Sequence, residues 1–289
     1  MKKTDLSAAL LCCVLWGILP VYWNLLSDVD SLLILCCRII FSLILMTLLL
    51  ACLGRFRLFG ETLRDKRLMK HLIPAGVLIT LNWGIYIAAV NAGHVLDCSL
   101  GYYMQPLAVF FFGAVVFREK CSKMQLAALC FAVIGVLVSV IAYGSFPYIS
   151  LGLALSFSLY GTIKKKAHAE PISSICVETL VITPFAIAFA LIFKSDGIAH
   201  LTLGNFLLLI GSGLVTGIPM VLYARSVNNL PFTVVGFLQY ISPTIGLFYG
   251  LAVGEEMTKS RLISFIFIII GLIVFSIDMV KRSKKQIEA

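Results

Sequence analysis

The stretch GYYMQP, Gly101–Pro106, interrupts a run otherwise fit for lipid, and GFLQYISP, Gly236–Pro243, interrupts another in the same way. Each sets a glycine, aromatics, a glutamine and a proline where a membrane helix ordinarily carries Leu or Val. Glycine lowers helix propensity, and proline removes a backbone donor and frees the carbonyl one turn back. Backbone left unpaired at membrane depth is tolerated only against protein or a wet cavity. The two stretches therefore predict a pair of broken helices facing an internal site. Gly101 and Pro106 are closer together than Gly236 and Pro243, so the two breaks are related but unequal, as suits a site with two unlike halves.

The rest of the chain fits that setting. Of its 289 residues 60% are hydrophobic and 13% charged, and its mean hydropathy is +1.02. A soluble domain is nearer one quarter charged, so water is not the main solvent of this fold. A bilayer core about 30 Å thick needs about 20 apolar residues in helical form. Ten such segments run end to end, at 6–26, 31–53, 72–91, 99–117, 124–143, 148–163, 172–193, 204–224, 232–253 and 261–279. The sixth is short and carries Ser156, Ser158 and Tyr160, so it does not face lipid throughout. The N-terminal run continues to Leu26, too long for a cleaved signal sequence, and reads as a retained first span.

Charge supplies an orientation. With a cytoplasmic N-terminus and ten crossings, 19 of the 23 Lys and Arg fall on the cytoplasmic side. Only Lys194, Lys259 and Arg261 lie outside, and Arg38 lies within a segment. This positive-inside bias predicts a multi-pass inner-membrane protein with both termini cytoplasmic. The net charge of +9 then reflects topology and attraction to anionic lipid, and predicts no nucleic-acid partner. The nine cysteines include the adjacent pairs Cys12/Cys13 and Cys36/Cys37, contain no CxxC, and read as small apolar residues. No histidine has a metal-ligand neighbour at a useful spacing, so neither metal nor cofactor is expected.

The chain also repeats itself. Tyr86, Val90 and Asn91 recur as Tyr223, Val227 and Asn228 at an offset of 137, and Pro106 and Glu119 recur as Pro243 and Glu256 at the same offset. Gly135 and Gly271, Arg38 and Glu178, and Trp16-Gly17 and Tyr160-Gly161 follow at offsets of 136, 140 and 144. Five matches in one order predict a duplicated five-helix unit, 1–143 and 144–280, followed by a basic cytoplasmic tail, 281–289. Five is odd, so the second unit enters the membrane from the opposite side. The predicted fold is an all-α polytopic membrane protein of ten transmembrane helices in two inverted five-helix repeats. Such repeats meet at the bilayer midplane, with the binding site at their broken helices.

WGILPVYW (16–23), CRIIFS (37–42), NWGIYIAAVNAGHVLDCSLGYYMQP (82–106) and FLQYISPT (237–244) together resemble the RarD-like members of the EamA-type transporters, within the drug/metabolite transporter superfamily. The resemblance spans essentially the whole chain. It implies a central cavity between inverted five-helix repeats and the export or exchange of small organic compounds, and it names no substrate.

Two ionisable residues stand inside apolar segments at matched positions. Arg38, about 10 Å below the outer surface by helical rise, is either a snorkelling arginine or a charge facing the cavity, for an anionic substrate group or a gate. Glu178, too short to snorkel, is either a gating or proton-carrying carboxyl or a structural pair with a polar neighbour. The two pair directly, or each serves its own gate. Asn82, Trp83, Tyr86 and Asn91 form a polar-aromatic group, and Trp16, mid-segment beside Gly17, is a candidate for the cavity. The mid-membrane Asn and Gln read equally as substrate contacts or helix–helix glue. Tyr22 and Trp23 read as interfacial aromatics. The substrate wall is expected at Tyr102, Tyr103 and Gln105 facing Gln239 and Tyr240, between the helix breaks at Gly101, Pro106, Gly236 and Pro243. The glycine stripes Gly213-x3-Gly217 and Gly246-x3-Gly250-x3-Gly254 read as packing, with oligomeric state left open. Glu119, Glu255 and Glu256 read as helix-end residues at the interface.

These features predict a secondary transporter of small organic solutes working by alternating access in a lipid setting. An arginine and aromatic rings in one cavity fit, loosely, a small carboxylate-bearing metabolite. No GxxxxGK[ST] occurs, so ATP is not bound by a P-loop, and proton coupling through Glu178 is the candidate energy source. An intramembrane enzyme would need a metal motif, an aspartyl pair or a Ser/His arrangement, and none is present. A lipid flippase or scramblase is the alternative that the architecture permits.

Overall fold

The computed structural model describes residues 2–92, 94–252, 254 and 258–287, with the side chains of 91, 96, 196 and 282–287 outside the description. The described chain is all helix and connecting turns. In order, α1 (Lys3–Asn24), α2 (Ser31–Cys52), the short α3 (Phe56–Arg64), α4 (Lys66–Asn91), α5 (Val95–Val115) and α6 (Lys123–Tyr143) make the first half. The second half holds α7 (Tyr148–Ala167), α8 (Pro171–Phe193), the one-turn α9 (Ser195–Ala199), α10 (Leu203–Asn229), α11 (Phe232–Leu238), α12 (Ile241–Ala252) and α13 (Lys259–Ile287).

Local chemistry sets the helix starts. Asp30 accepts from the amides of Leu32 and Leu33 at 3.0 Å, and Asp65 from Arg67 and Leu68 at 2.8 and 3.2 Å. Ser122 and Gln125 form a reciprocal capping box, and Thr202 caps α10. These polar residues satisfy the orphan amides where each helix leaves the membrane.

Nine helical stretches among the described residues are long and apolar enough to span a bilayer, with α11 and α12 together forming one of them. The expectation of ten apolar spans is met by nine. The remaining long helix, α7, is too polar to qualify. It turns Ser150, Ser158, Thr162 and Lys164 into the protein and packs against α4, α5 and α10. The short α3 is also no span. It is amphipathic, with Arg57, Glu61 and Arg64 exposed, and continues the basic surface between α2 and α4.

The packing has an exchange symmetry. α2 packs on α8, α5 on α11 and α6 on α13, each helix against its counterpart. Contacts of α1 with α10 are answered by those of α7 with α4, and contacts of α2 with α10 by those of α8 with α4. Small residues permit the close crossings. A Cβ on Gly213 of α10 would lie 2.5 Å from the Phe41 carbonyl of α2, and one on Gly271 would lie 2.9 Å from the Ala128 carbonyl. All nine cysteines are free.

The paired helix breaks need correction. The second is present: α11 ends at Leu238, Gln239 and Tyr240 form a turn, and α12 begins at Ile241. The first is absent, because α5 runs unbroken through Gly101 and Pro106. A proline removes only one helical hydrogen bond, and here the surrounding helices pack tightly enough to hold the chain helical. A Cβ on Gly236 would meet the Pro106 carbonyl at 3.0 Å and the Phe110 amide nitrogen at 2.9 Å. Gly101 lies in the same way against Leu153 and the Ser150 carbonyl, each 3.2 Å from a built Cβ. Both glycines serve close helix approach.

Candidate functional site

Between the halves lies a cavity of about 200 Å³. Its wall takes Trp16, Gly17 and Trp23 from α1, Arg38 from α2, Asn82, Trp83 and Tyr86 from α4, and Tyr102 and Gln105 from α5. The second half adds Phe157, Thr216, Met220, Gln239, Ser242, Pro243 and Gly246. The chain has three tryptophans, and all of them line this space.

Arg38 dominates its electrostatics. The guanidinium carbon sits 4.0 Å from the Trp83 ring centroid and 5.1 Å from that of Trp23. An arginine at the centre of a membrane helix costs about 2.5–3.5 kcal/mol on insertion scales. A desolvated cation–π contact returns about 2 kcal/mol or more, so the indoles offset much of that cost without a counterion. Trp23, read as interfacial from the sequence, also lines the cavity. Arg38 Nε is buried with no hydrogen-bond partner, and no Asp or Glu lines the cavity among the described residues.

Amides from the two halves meet on the opposite wall. Gln105 Nε2 donates to Gln239 Oε1 at 3.3 Å, and the Gln239 amide faces the Tyr223 hydroxyl. Asn82 is committed to structure, donating to the Leu153 carbonyl and Ser156 Oγ, both at 2.9 Å. Tyr86 and Tyr102 stand side by side with ring centroids 5.8 Å apart.

The face that carries the α1 N-terminus and the basic links 52–70, 115–123 and 164–171 closes the cavity on one side. Trp16, Phe157 and Tyr223 form an aromatic plug, with centroids 5.3–5.6 Å apart. Behind it, Tyr160 donates to Glu178 Oε2 at 3.1 Å, and Lys164 Nζ donates to Glu178 Oε1 at 2.6 Å and to Ser174 Oγ at 2.5 Å. Nearer the surface, Lys165 donates to the carbonyls of Val227 and Leu230, at 3.1 and 2.6 Å. Glu119 accepts from the amides of Phe232 and Thr233, at 2.6 and 2.8 Å, and so caps α11 from the first half. Arg225 and Asp5 pair at 2.8 Å, and Arg55 and Glu170 at 3.3 Å. On the opposite face, the ion pair joining the halves among the described residues is Lys194–Asp30, 2.8 Å and partly exposed.

A second, small void with an almost wholly apolar wall lies beside the cavity. It is lined by Glu178, and it shares Trp83, Thr216 and Met220 with the larger space. Thr216 Oγ1 is buried there without a partner.

The structure thus brings Arg38, Trp16, Asn82, Trp83, Tyr86, Tyr102, Gln105, Gln239 and Pro243 to one cavity. Tyr103 and Tyr240 do not line it. Tyr103 packs into the core, and Tyr240 is turned against Phe237, 5.8 Å between centroids. Arg38 and Glu178 do not pair with each other. Glu178 is claimed by Lys164, which the sequence placed in a cytoplasmic loop. The Asn91 side chain, Glu255 and Glu256 lie outside the described residues. Glu119 is a helix cap between halves, beyond the interfacial role expected of it. Of the glycine stripes, Gly213 and Gly217 pack on α2, whereas Gly246 lines the cavity with nothing within 4 Å of a built Cβ.

A model of the EamA-like transporter family matches residues 4–141 and again residues 147–277. "Uncharacterized transporter YojE" of Bacillus subtilis (strain 168) is 38% identical over 273 residues, covering 93% of this chain and 92% of the relative. "Protein RarD" of Salmonella typhi is 35% identical over 284 residues, and "Protein RarD" of Escherichia coli (strain K12) is 32% identical over 283. Each covers 96% of this chain, and the matches take 96% and 95% of those relatives. A solved crystal structure superposes with a TM-score of 0.75 over 96% of this chain and 98% of that one, at 15% identity, a likeness of fold.

Proposed function

The chain belongs to the EamA-like transporter family as a RarD-like member, and on that premise we propose that it is a secondary transporter that exports or exchanges small organic solutes by alternating access. The observation that carries the proposal is the cavity itself, walled by both halves, with the inter-half pairs Arg225–Asp5, Arg55–Glu170 and Lys165–Glu119 on one side and Lys194–Asp30 on the other. The moving bodies are the five-helix halves 1–143 and 144–280, a division supported by the two separate family matches and by the exchange symmetry of the packing. The multi-pass protein sits in the inner membrane with both termini and the basic face cytoplasmic, as the distribution of Lys and Arg supports. The aromatic plug and the inter-half pairs Arg225–Asp5, Arg55–Glu170 and Lys165–Glu119 are then the cytoplasmic gate, closed in this conformation.

Solute gradients or proton movement drive the cycle. The burial of Glu178 supports it as the candidate proton carrier. Lys164 and Glu178 both belong to the second half, so proton uptake needs α7 and α8 to part within that half, leaving a carboxylate to be neutralised by a proton. Glu178→Gln should therefore abolish the dependence of flux on a pH gradient; unchanged dependence removes Glu178 from coupling.

The test of transport is reconstitution of the purified protein in liposomes, with exchange flux measured for a panel of small acids, amines and neutral solutes. Saturable, protein-dependent flux of at least one solute is expected. Flux of labelled phospholipid in its place would assign the protein as a flippase.

A further inference from the structure

Resting on the transport reading above, we propose that the cavity is built for a monocarboxylate that carries an apolar or aromatic body and no ammonium group. Arg38 has no acidic partner on the cavity wall among the described residues, and its Nε is buried without a hydrogen-bond partner. A buried donor without a partner carries a desolvation penalty, and an arriving acceptor relieves it. A carboxylate has two oxygens with about four lone-pair sites between them, enough to take the arginine fork. The rings of Trp23 and Trp83 cover the guanidinium faces, which leaves its N–H edge for in-plane, bidentate contact.

Charge selects among anions. Among the described lining residues Arg38 is the sole charge, so the empty cavity holds +1. A monoanion brings it to neutrality, a phosphate dianion overshoots, and an amine adds a second cation in a low-dielectric space. An amino acid fits poorly for a related reason. Its ammonium finds no carboxylate on the wall, and Gln239 Oε1 is already engaged by Gln105. The remaining wall at Trp16, Phe157 and Met220 is apolar and suits a hydrocarbon or aromatic body.

The three tryptophans provide the readout, because all of them line the site. Purified full-length protein is titrated with propionate, hexanoate and 3-phenylpropionate while intrinsic fluorescence is followed. The controls are 3-phenylpropanol, 3-phenylpropylamine and 3-phenylpropylphosphonate, which keep the body and change the head. At least one carboxylate should give a saturable change at least tenfold tighter than its alcohol, amine and phosphonate counterparts. Arg38→Gln should weaken it tenfold or more. No saturable response to any of the three acids, or equal affinity for acid and alcohol, overturns the proposal. So does undiminished binding by Arg38→Gln; the comparison of head groups on the wild-type protein carries the test alone if Arg38→Gln does not fold. Acid binding without flux in liposomes would sink the transporter reading and leave this site standing. Flux of an amine or neutral solute with no acid binding would do the reverse.

Discussion

Lys164 Nζ stands 2.6 Å from Glu178 Oε1, and the two side chains are only 3% and 2% exposed. They come from the end of α7 and the second turn of α8, and with Tyr160 and Ser174 they close the basic face. Two charges at this depth persist because each answers the other and hydroxyls fill the remaining valences.

Removing one member leaves the other charged and buried. Lys164→Met should destabilise the protein by roughly 3–5 kcal/mol, whereas the double variant Lys164→Met/Glu178→Leu should recover most of that loss. Unfolding in detergent, analysed as a double-mutant cycle, measures the coupling. Simple additivity of the two single substitutions would mean that the pair is not coupled.

Glu119 holds α11 across the halves by charge-assisted bonds to two amides and to Thr233 Oγ1. Loss of a charged acceptor of this kind costs roughly 1.5–3 kcal/mol per bond. Glu119→Ala should speed amide exchange at Phe232 and Thr233 more than elsewhere in α11. Protection unchanged at those two amides would show that the cap is replaceable.

Asp30 lies outside the spans and can be followed by pH. Burial pushes its carboxyl up, but Lys194 and the amides of Leu33 and Leu32 outweigh burial and hold it below the ordinary range. A carboxyl depressed in the folded state stabilises above its unfolded value, near 3.9, and that contribution is lost as pH falls through the lower folded value. Wild type should therefore melt higher than Asp30→Asn at neutral pH, with the gap closing below about pH 4. A gap that is constant with pH would separate the stabilisation from this ionisation.

The glycines divide by environment. Gly213→Ala drives a Cβ to 2.5 Å from the Phe41 carbonyl, so backbone must move and stability should fall measurably. Gly246→Ala meets nothing within 4 Å and should leave the melting temperature unchanged or raised, since Ala is the better helix former by about 1 kcal/mol. Its effect should appear in solute affinity. The reverse ranking would contradict the assignment of Gly246 to the cavity wall.

Much of this arrangement is legible in the sequence because membrane constraints are local. Runs of about 20 apolar residues mark the spans, and the intramembrane Arg38 had to face a space that tolerates it. The likeness of GYYMQP to GFLQYISP placed Gln105 and Gln239 in one site, where they meet. What escaped is set by partners distant in sequence. Lys164 reads as one of three loop lysines until Glu178, fourteen positions on, draws it inward. Glu119 caps a helix more than a hundred residues away. Trp23 looks interfacial because nothing local reveals that Arg38 would take its ring face. The intact α5 and the broken α11–α12 carry the same residue types, at different spacing and in different packing.

The interruption at Gln239–Tyr240 makes the ninth segment a jointed element and not a rod. Its short arm is fastened to the first half, by Glu119 at one end and by Gly236 against the Pro106 turn at the other. Its long arm lies along α1, where Ile245 fills the notch at Gly17. Gln239 sits at the knuckle between the arms, its Oε1 held by Gln105 of the first half. A shift of α1 relative to α5 would therefore be taken up at this joint.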